Sequence, residues 1–323
     1  MLNAAIIGLG WWGRNIVQAV QGKSAKLRFV HGVSKEIDVA LPLAEANGFT
    51  LSDDLEQALA DKRVEAVVLA TPHSLHAEQI VRVAAAGKPV FCEKPLALKR
   101  ADAERAVAAV KQAGVAIGVG QNKRFWPSMV ELRRVVASGA LGRIMHIEGH
   151  YSNENSDLHF SAWRDLPDES PGGGMTGTGI HLLDAFVGLG GPVAEVKAQV
   201  VTFRPGRDPR DAASVMFRFA SGLSGYFGLV RASPVYWRVH VFGDEGSVEA
   251  LGETEVVLRR RAGKSERKEF PKVDSIRAEM EAFADAVAGI SPYPITPVEM
   301  VNTIAAFEAI IRSMDTGRPV AIV

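Results

Sequence analysis

This sequence has a single cysteine, no excess of either charge and no long apolar run. Its only cysteine, Cys92, excludes an intramolecular disulfide and a cysteine-cluster metal site, and it agrees with a reducing compartment. Lys plus Arg and Asp plus Glu number 37 each, so no net field favours nucleic acid or an acidic membrane. No apolar run approaches the length of a membrane span, and the first predicted strand begins too near Met1 to leave room for a secretory leader. We therefore expect a cytoplasmic protein that binds a small molecule, with no nucleic-acid and no membrane partner.

The most informative pattern lies in residues 4–15. Residues 4–7 are uniformly apolar, which is typical of a strand covered on both faces, and Gly8, Gly10 and Gly13 follow with the spacing G-x-G-x-x-G. In a dinucleotide site the first glycine allows a tight turn, the second lets the backbone approach a pyrophosphate, and the third lets the next helix pack on the strand. A preceding strand and a following helical pattern favour this interpretation over an ordinary glycine-rich turn.

The end of the second predicted strand, residues 27–33, bears on the choice of cofactor. An acidic residue at that place normally accepts hydrogen bonds from the adenosine ribose, but this chain has Ser34 and Lys35 there. A hydroxyl and an ammonium suit a 2′-phosphate, which favours NADP over NAD. Glu36 and Asp38 follow closely and keep NAD open as the alternative.

The order of the predicted elements indicates two domains. Strands and helices alternate through residue 120, as in a doubly wound parallel sheet. After one helix at 127–137 the chain is dominated by strands separated by glycine turns, which indicates an antiparallel sheet, and helices at 276–288 and 297–314 close it. The strands predicted in this region are 144–151, 193–203, 212–219, 223–230, 237–242, 247–251 and 255–258. We predict an α/β Rossmann domain at 1–122 and, at 123–323, an α+β domain with a large, mostly antiparallel open sheet.

A series of motifs occurs in a fixed order along nearly the whole chain. They are Ala70-Thr71-Pro72 with His76, Glu93-Lys94-Pro95, Asn122-x-Arg124-Phe125, Trp163-Arg164, Gly172-Gly173-Gly174, Gly179-Ile180-His181-Leu182-Leu183-Asp184 and Thr316-Gly317-Arg318-Pro319-Val320. In this order they resemble the glucose-fructose oxidoreductase / inositol dehydrogenase / rhizopine-catabolism family. The resemblance implies an NAD(P)-binding Rossmann domain and a C-terminal sheet that buries a face in a homodimer or homotetramer.

Two residues are candidates for catalysis. Lys94 is the candidate base or proton relay for oxidising a secondary alcohol; burial beside a nicotinamide would favour its neutral amine, whereas Glu93 would oppose it. His181 is the second candidate, and Asp184 can share its helix face and orient the imidazole or accept a sugar hydroxyl. The residues predicted to bind substrate are Arg124, Thr178 and Asp184. The residues predicted to bind the cofactor are Gly8, Gly10, Trp11, Trp12, Gly13, Ser34, Lys35, Ala70, Thr71, Pro72, His73, His76, Glu93, Lys94, Gln121, Asn122, Trp163 and Arg164, with a core position as the alternative for Trp163.

Gly177 departs from the family pattern. Inositol-dehydrogenase-like members usually carry an Asp four residues before this histidine, where it supports proton transfer. Thr176 and Thr178 flank Gly177 and can hydrogen-bond a hydroxyl, but they cannot act as a base. Either Lys94 and His181 suffice, or the reaction differs from simple polyol oxidation.

These observations leave one leading hypothesis and two alternatives. The leading hypothesis is an NAD(P)-dependent oxidoreductase that transfers a hydride between nicotinamide and a secondary alcohol or ketone of a sugar, polyol or related cyclic compound. The alternatives are a cofactor-retaining, glycosidase-like enzyme and a non-catalytic NAD(P)-binding regulator.

A polar stretch near residue 155 is expected to line a sugar pocket. Its members are Tyr151, Asn153, Asn155, Asp157 and His159. Asp157 and His159 come nearest to a metal pair, but no third ligand matches them, so we predict no metal.

Overall fold

The computed structural model describes residues 1–154, 162–203, 212–231, 233–261 and 263–322. The chain divides into two compact units, Met1–Asn122 with Asp274–Val301, and Lys123–Val273 with Asn302–Val323. Residues 274–301, which the sequence analysis assigns to the second domain, group with the first unit.

The first part of the chain alternates between strands and helices. In order, its elements are β1 (Leu2–Ile7), α1 (Trp11–Val20), β2 (Leu27–Val33), α2 (Ile37–Asn47), β3 (Thr50–Ser52), α3 (Leu55–Ala60), β4 (Ala66–Leu69), α4 (His76–Ala85), β5 (Val90–Glu93), α5 (Arg100–Ala113) and β6 (Ile117–Gly120).

The later elements are mostly strands. They are α6 (Pro127–Ala137), β7 (Ile144–Asn153), α7 (Ile180–Gly190), β8 (Val193–Val201), β9 (Ala212–Phe219), β10 (Ser224–Arg231), β11 (Tyr236–Gly243), β12 (Gly246–Leu251), β13 (Glu255–Arg260), β14 (Glu266–Glu269), α8 (Ser275–Val287), α9 (Pro297–Thr316) and β15 (Val320–Ala321).

The first unit contains a six-stranded parallel sheet with the order β3-β2-β1-β4-β5-β6. This order reverses direction between β1 and β4, and in such sheets ligands bind outside the carboxyl ends of the strands at that reversal. Strands β4, β5 and β6 are buried throughout, which explains their unbroken apolar runs. The predicted doubly wound Rossmann domain is confirmed.

The second unit contains a nine-stranded sheet with the order β14-β13-β12-β11-β7-β10-β9-β8-β15. Only the β7/β10 pair is parallel, and the other pairs are antiparallel. The predicted α+β domain with a mostly antiparallel open sheet is therefore confirmed.

Helix α7 lies close against one face of this sheet. A Cβ atom on Gly149 in β7 would stand 2.8 Å from Phe186 and 3.1 Å from Leu182, so the glycine is what lets the helix approach. All residues from Ile180 to Val187 are buried, in keeping with their apolar composition. The packing of α7 on β7 thus fixes the helix whose second residue is His181.

Candidate active site

The glycine fingerprint connects β1 to α1 with the geometry that its spacing predicts. Gly8 has a φ of 94°, and a Cβ there would lie 2.5 Å from the Ala70 carbonyl oxygen. A Cβ on Gly13 would lie 1.9 Å from the Gly8 carbonyl oxygen. Both positions therefore exclude a side chain, one for the turn and one for helix packing.

Gly10 differs from the other two glycines in facing open space. No atom lies within 4 Å of the position where its Cβ would be. It is also the N-cap of α1, a ten-residue helix with no side-chain cap and no acidic residue in its first turn. Free N–H groups and the positive end of the helix dipole favour an anion at such a place, so these residues fit a dinucleotide pyrophosphate.

At the adenosine end, Ser34 and Lys35 follow β2 as expected. The Ser34 hydroxyl accepts a hydrogen bond from the Glu36 backbone N–H over 3.2 Å. Lys35 Nζ donates to the Asp53 carbonyl oxygen over 2.7 Å on the exposed surface. The hydroxyl and the ammonium are thus neighbours at the end of β2, where the ribose of a bound dinucleotide would lie.

The segment after β4 is held by polar contacts of the helix that follows it. The Thr71 hydroxyl donates to Gln79 Oε1 over 2.6 Å. His73 is buried in a short 3-10 turn, and His76, the first residue of α4, is completely buried. The His76 ring nitrogens lie 2.7 Å from the Pro95 carbonyl oxygen and 3.0 Å from that of Thr71.

Lys94 follows the last residue of β5 at the same edge of the sheet. Its backbone N–H donates to Oε2 of Glu93 over 3.2 Å, and the Lys94–Pro95 peptide bond is cis. Glu93 is buried beside Gly120 of β6, where a Cβ would lie 2.6 Å from its carboxylate. Burial and the Glu93 charge raise the pKa of the Cys92 thiol, which leaves this cysteine an unreactive core residue.

The remaining cofactor candidates are placed as follows. Gln121 is buried, and Asn122 Nδ2 donates to the Ser275 hydroxyl over 3.1 Å within the first unit.

The other cofactor candidates lie elsewhere in the chain. Trp11 is exposed at the start of α1, and its ring centroid lies 5.4 Å from that of Trp12. Pro72 precedes the His73 turn. Arg164 lies over the Trp163 ring at 5.1 Å, in the second unit.

In the second unit a π-helical turn, Met175–Gly179, leads into α7 and carries Thr178, one of the residues predicted to bind substrate. The Thr176 hydroxyl accepts from the Gly172 backbone N–H over 2.9 Å, which secures the glycine run. Thr178 and His181 are both 8% exposed, so each keeps only a small part of its surface open. Gly177 is exposed, with no atom within 4 Å of the position of a Cβ.

Arg124 and Asp184 are brought together by the fold. They form an ion pair in which both side chains are 3% exposed. The guanidinium also lies against the backbone of α7, where a Cβ on Gly188 would be 2.2 Å from it. Direct contact of either residue with a substrate stays a prediction, and the contacts favour a role in positioning α7.

An aromatic cage around Lys123 is a feature that the sequence analysis misses. Lys123 Nζ lies 4.0 Å from the ring centroid of Trp126, 4.6 Å from that of Tyr151 and 5.5 Å from that of Trp237. Burial raises the pKa of Tyr151 to about 12, and Asn153 Nδ2 donates to its hydroxyl over 3.4 Å. No local pattern indicates the cage, because Trp237 lies more than a hundred residues along the chain.

The described residues bear on the predictions about metals and membranes. Within the described ranges there is no group of three His, Cys, Asp or Glu residues that could hold a metal ion. Asn155, Asp157 and His159 lie outside the described residues, so the expected sugar pocket and the absence of a metal stay predictions. In the part of the chain that the structure describes, no helix has the length and apolar character needed to cross a membrane.

Comparison with known proteins places the chain in a family. Residues 2–121 match the model for the oxidoreductase family with an NAD-binding Rossmann fold, and residues 129–249 match the GFO/IDH/MocA C-terminal domain. Inositol 2-dehydrogenase 2 of Saccharopolyspora erythraea is 29% identical, over 98% of this chain and 94% of its own length. The crystal structure of GenD2 from gentamicin A biosynthesis, in complex with NAD, is 27% identical and superposes with a TM-score of 0.86, covering 100% of this chain and 96% of the other.

One further relative is matched over part of its length. The 2,7-anhydro-N-acetylneuraminate hydratase of Escherichia coli is 27% identical over 62% of this chain, and the match spans about half of the relative, 52% of its length. Both family domains are nevertheless matched in the expected order, and together they cover more than half of the chain. The chain therefore belongs to the GFO/IDH/MocA family of NAD-binding oxidoreductases.

Proposed function

We propose that this protein transfers a hydride between a nicotinamide cofactor and a secondary alcohol or ketone carbon of a sugar, polyol or related cyclic compound. The observation that carries the proposal is the position of Lys94. It follows β5, two strands from the glycine turn that ends β1, at the edge of the sheet where ligands bind. An amine with a fixed backbone is thereby available on the cofactor's side of the fold.

The residues are assigned roles that match their chemistry. The bound cofactor would supply the hydride acceptor or donor. Lys94 would take the hydroxyl proton during oxidation and return it during reduction. The imidazole of His181 and the hydroxyl of Thr178 are proposed to hydrogen-bond substrate oxygens. The buried Arg124–Asp184 pair would hold α7 in place.

NADP is the cofactor that we propose, with NAD as the alternative. Ser34 and Lys35 present a hydroxyl and an ammonium at the end of β2, and a 2′-phosphate could replace the Asp53 carbonyl as the partner of Lys35 Nζ. Glu36 follows directly, and its carboxylate is the feature that would suit an unphosphorylated ribose.

The test is cofactor reduction on a panel of sugars, inositols and cyclic diols, with NADP⁺ and NAD⁺ in parallel. We expect turnover by the wild type and by Lys62→Met, a control at an exposed lysine of the same domain, and none by Lys94→Met. Cofactor binding without turnover by any of the three proteins on the whole panel would contradict the proposal.

A second candidate function is transient oxidation that serves to cleave or hydrate a cyclic sugar. Gly177, which lacks the usual carboxylate, and the similarity to a hydratase of an anhydro sugar favour it. This reaction would convert a glycoside or anhydro sugar without net cofactor reduction. A protein that binds the cofactor and converts neither class of compound would be the non-catalytic regulator.

The sheet of the second unit is the proposed site of homodimer or homotetramer formation. Met216 on β9 pairs with Tyr226 on β10, and both side chains are about half exposed on the same face. We expect light scattering to show an oligomer of the wild type in solution. The double variant Met216→Asp with Tyr226→Asp is expected to be a monomer. A wild-type monomer contradicts this assignment. We propose that the protein acts in the cytoplasm.

A further inference from the structure

His76 makes two contacts that a neutral histidine cannot satisfy together. Its side chain is completely buried, with Nδ1 2.7 Å from the Pro95 carbonyl oxygen and Nε2 3.0 Å from the Thr71 carbonyl oxygen. Carbonyl oxygens only accept hydrogen bonds, whereas a neutral imidazole has one N–H and one lone pair. Both contacts are hydrogen bonds only if both ring nitrogens carry a proton.

We propose that His76 is an imidazolium that clamps the segment after β4 to the Lys94–Pro95 loop, and that it is a positioning residue for Lys94. The inference rests on the proposed role of Lys94 as the proton-transferring group. His76 does so without touching the substrate, because its two ring nitrogens are directed at the protein backbone.

The clamp fixes Lys94 from both sides along the backbone. On one side the Lys94 N–H donates to Glu93 Oε2, and on the other side His76 holds the carbonyl of the next residue, Pro95. The proline also restricts the backbone angles of the residue before it. Hydrogen bonds from a charged donor are stronger than neutral ones, so the Lys94 backbone is held firmly relative to the end of β4.

The charge of the clamp has a second effect. A positive charge near Lys94 disfavours a second one, and so it favours the neutral amine that proton abstraction needs. The negative charge of Glu93 has the opposite effect, because it favours the charged form of Lys94. A second titratable ring, that of His73, has its centroid 5.8 Å from the centroid of the His76 ring. On the outer side of α4, Glu78 pairs with Arg105 of α5. Burial and the dipole of α4 oppose a cation at the first residue of this helix, whereas the carbonyl oxygens of Pro95 and Thr71 stabilise it.

The protonation state can be measured directly in the wild-type protein without substrate. Nitrogen NMR of protein labelled at histidine distinguishes a doubly protonated ring from either neutral tautomer, and His76→Gln identifies the signal. We expect both nitrogens of His76 to be protonated from pH 6 to pH 8. A singly protonated ring in that range overturns the proposal.

The effect on Lys94 can be measured by competitive labelling of amines as a function of pH. With Lys62 as the internal reference, we expect the pH of half-maximal Lys94 labelling to rise by about one unit in His76→Leu and in His76→Gln. Gln keeps a hydrogen-bond donor but carries no charge, so it separates charge from packing if the Leu variant unfolds. An unchanged midpoint in folded His76→Gln overturns the positioning role.

His31→Gln is the matched control. His31 is also buried in the first unit and also uses both ring nitrogens, which contact Asp61 and Ser52 at 3.0 and 2.9 Å. We expect this variant to leave the labelling midpoint of Lys94 unchanged. A shift equal to that of the His76 variants would show a general structural effect and contradict the proposal.

Failure of the proposed function is distinguishable from failure of this inference. If a substrate is turned over, we expect the pH profile of kcat/KM of the His76 variants to move with the labelling midpoint of Lys94. If no substrate is turned over, the NMR and labelling results still decide the state of His76 and its effect on Lys94.

Discussion

The guanidinium of Arg124 meets both carboxylate oxygens of Asp184 in the interior of the second unit. Arg124 Nε lies 2.5 Å from Oδ2, and Nη2 lies 3.1 Å from Oδ1 and 2.8 Å from the Asp184 backbone oxygen. Asp184 stands three residues after His181 on α7, so the pair secures the turn of helix that carries this histidine.

Removing one partner of this pair is expected to lower the free energy of unfolding far more than replacing both partners with apolar residues. Asp184→Ala leaves a buried guanidinium without its carboxylate, and we expect a loss of about 3–5 kcal/mol in the free energy of unfolding. The double variant Arg124→Met with Asp184→Leu is expected to be more stable than Asp184→Ala. Urea unfolding measures both, and a double variant less stable than the single one would contradict the assignment.

An aspartate at position 177 is expected to raise dehydrogenase activity. The space around a Cβ at Gly177 is open, so the substitution meets no clash. A carboxylate four residues before His181 adds a general acid–base group, and such groups contribute about 10²-fold or more. We expect Gly177→Asp to raise kcat on polyols at least about tenfold and Gly177→Asn to leave it unchanged, as measured by steady-state kinetics. Equal kcat values for the two variants would mean that the carboxylate has no role here.

The cofactor preference is expected to depend on the end of β2. Replacing Ser34 with Asp and Lys35 with Ala puts a carboxylate where the 2′-phosphate of NADP would bind and removes an ammonium. We expect the Kd for NADP⁺ to rise at least about tenfold, since charge-assisted hydrogen bonds to phosphate contribute on the order of 1.5–3 kcal/mol each. Calorimetric titration with both cofactors measures this change. Tighter binding of NAD⁺ than of NADP⁺ by the wild type would reverse the assignment.

A cluster of charges on the large sheet is expected to make stability depend on pH. His240 accepts a hydrogen bond from Arg238 over 2.8 Å, and burial lowers the pKa of His240 to about 4. Between that value and about 6.5 the unfolded chain binds a proton that the folded chain does not, so stability falls as the pH falls through this window. Burial alone would raise the pKa of Glu249, but hydrogen bonds from Arg238 and Arg259 outweigh it and lower that pKa. The Glu249 carboxylate therefore also stabilises the folded chain less as the pH falls and it becomes protonated.

His240→Gln is the variant that tests this linkage. The variant keeps an acceptor for Arg238 and removes the titrating ring. The free energy of unfolding falls between pH 7 and pH 4 in both proteins, and we expect the fall to be smaller in the variant by on the order of 2 kcal/mol. Chemical unfolding at a series of pH values measures the difference, and parallel curves for the two proteins would exclude His240 as its source.

The fold follows from the sequence wherever burial imposes a pattern. Apolar runs mark β4 and the first three residues of β5, and Asp54, a residue type common at helix starts, accepts a hydrogen bond from the Glu56 N–H as the N-cap of α3. Strands β3, β14 and β15 are not predicted. The three residues of β3 and the two of β15 are too few for a period, and the four residues of β14 are all exposed and charged, so neither face is marked.

The candidate site is predictable only where one segment carries the signal. The glycine turn, Lys94 and His181 each stand in a local motif. The contact of Lys123 with Trp237, the Arg124–Asp184 pair and the contact of His76 with Pro95 join residues of different segments of the chain. Such contacts depend on tertiary packing, and neither hydrophobic periodicity nor a short motif encodes them.

Lys94 is the residue that we propose to transfer the proton in a nicotinamide-dependent oxidation. The most direct test is single-turnover cofactor reduction by Lys94→Met, compared with the wild type on any substrate that the panel yields. We predict a loss of at least about 10²-fold in the rate of hydride transfer, as expected for removal of a general base, in a variant that still binds the cofactor. A Lys94→Met variant that reduces the cofactor at the wild-type rate would show that Lys94 does not transfer the proton.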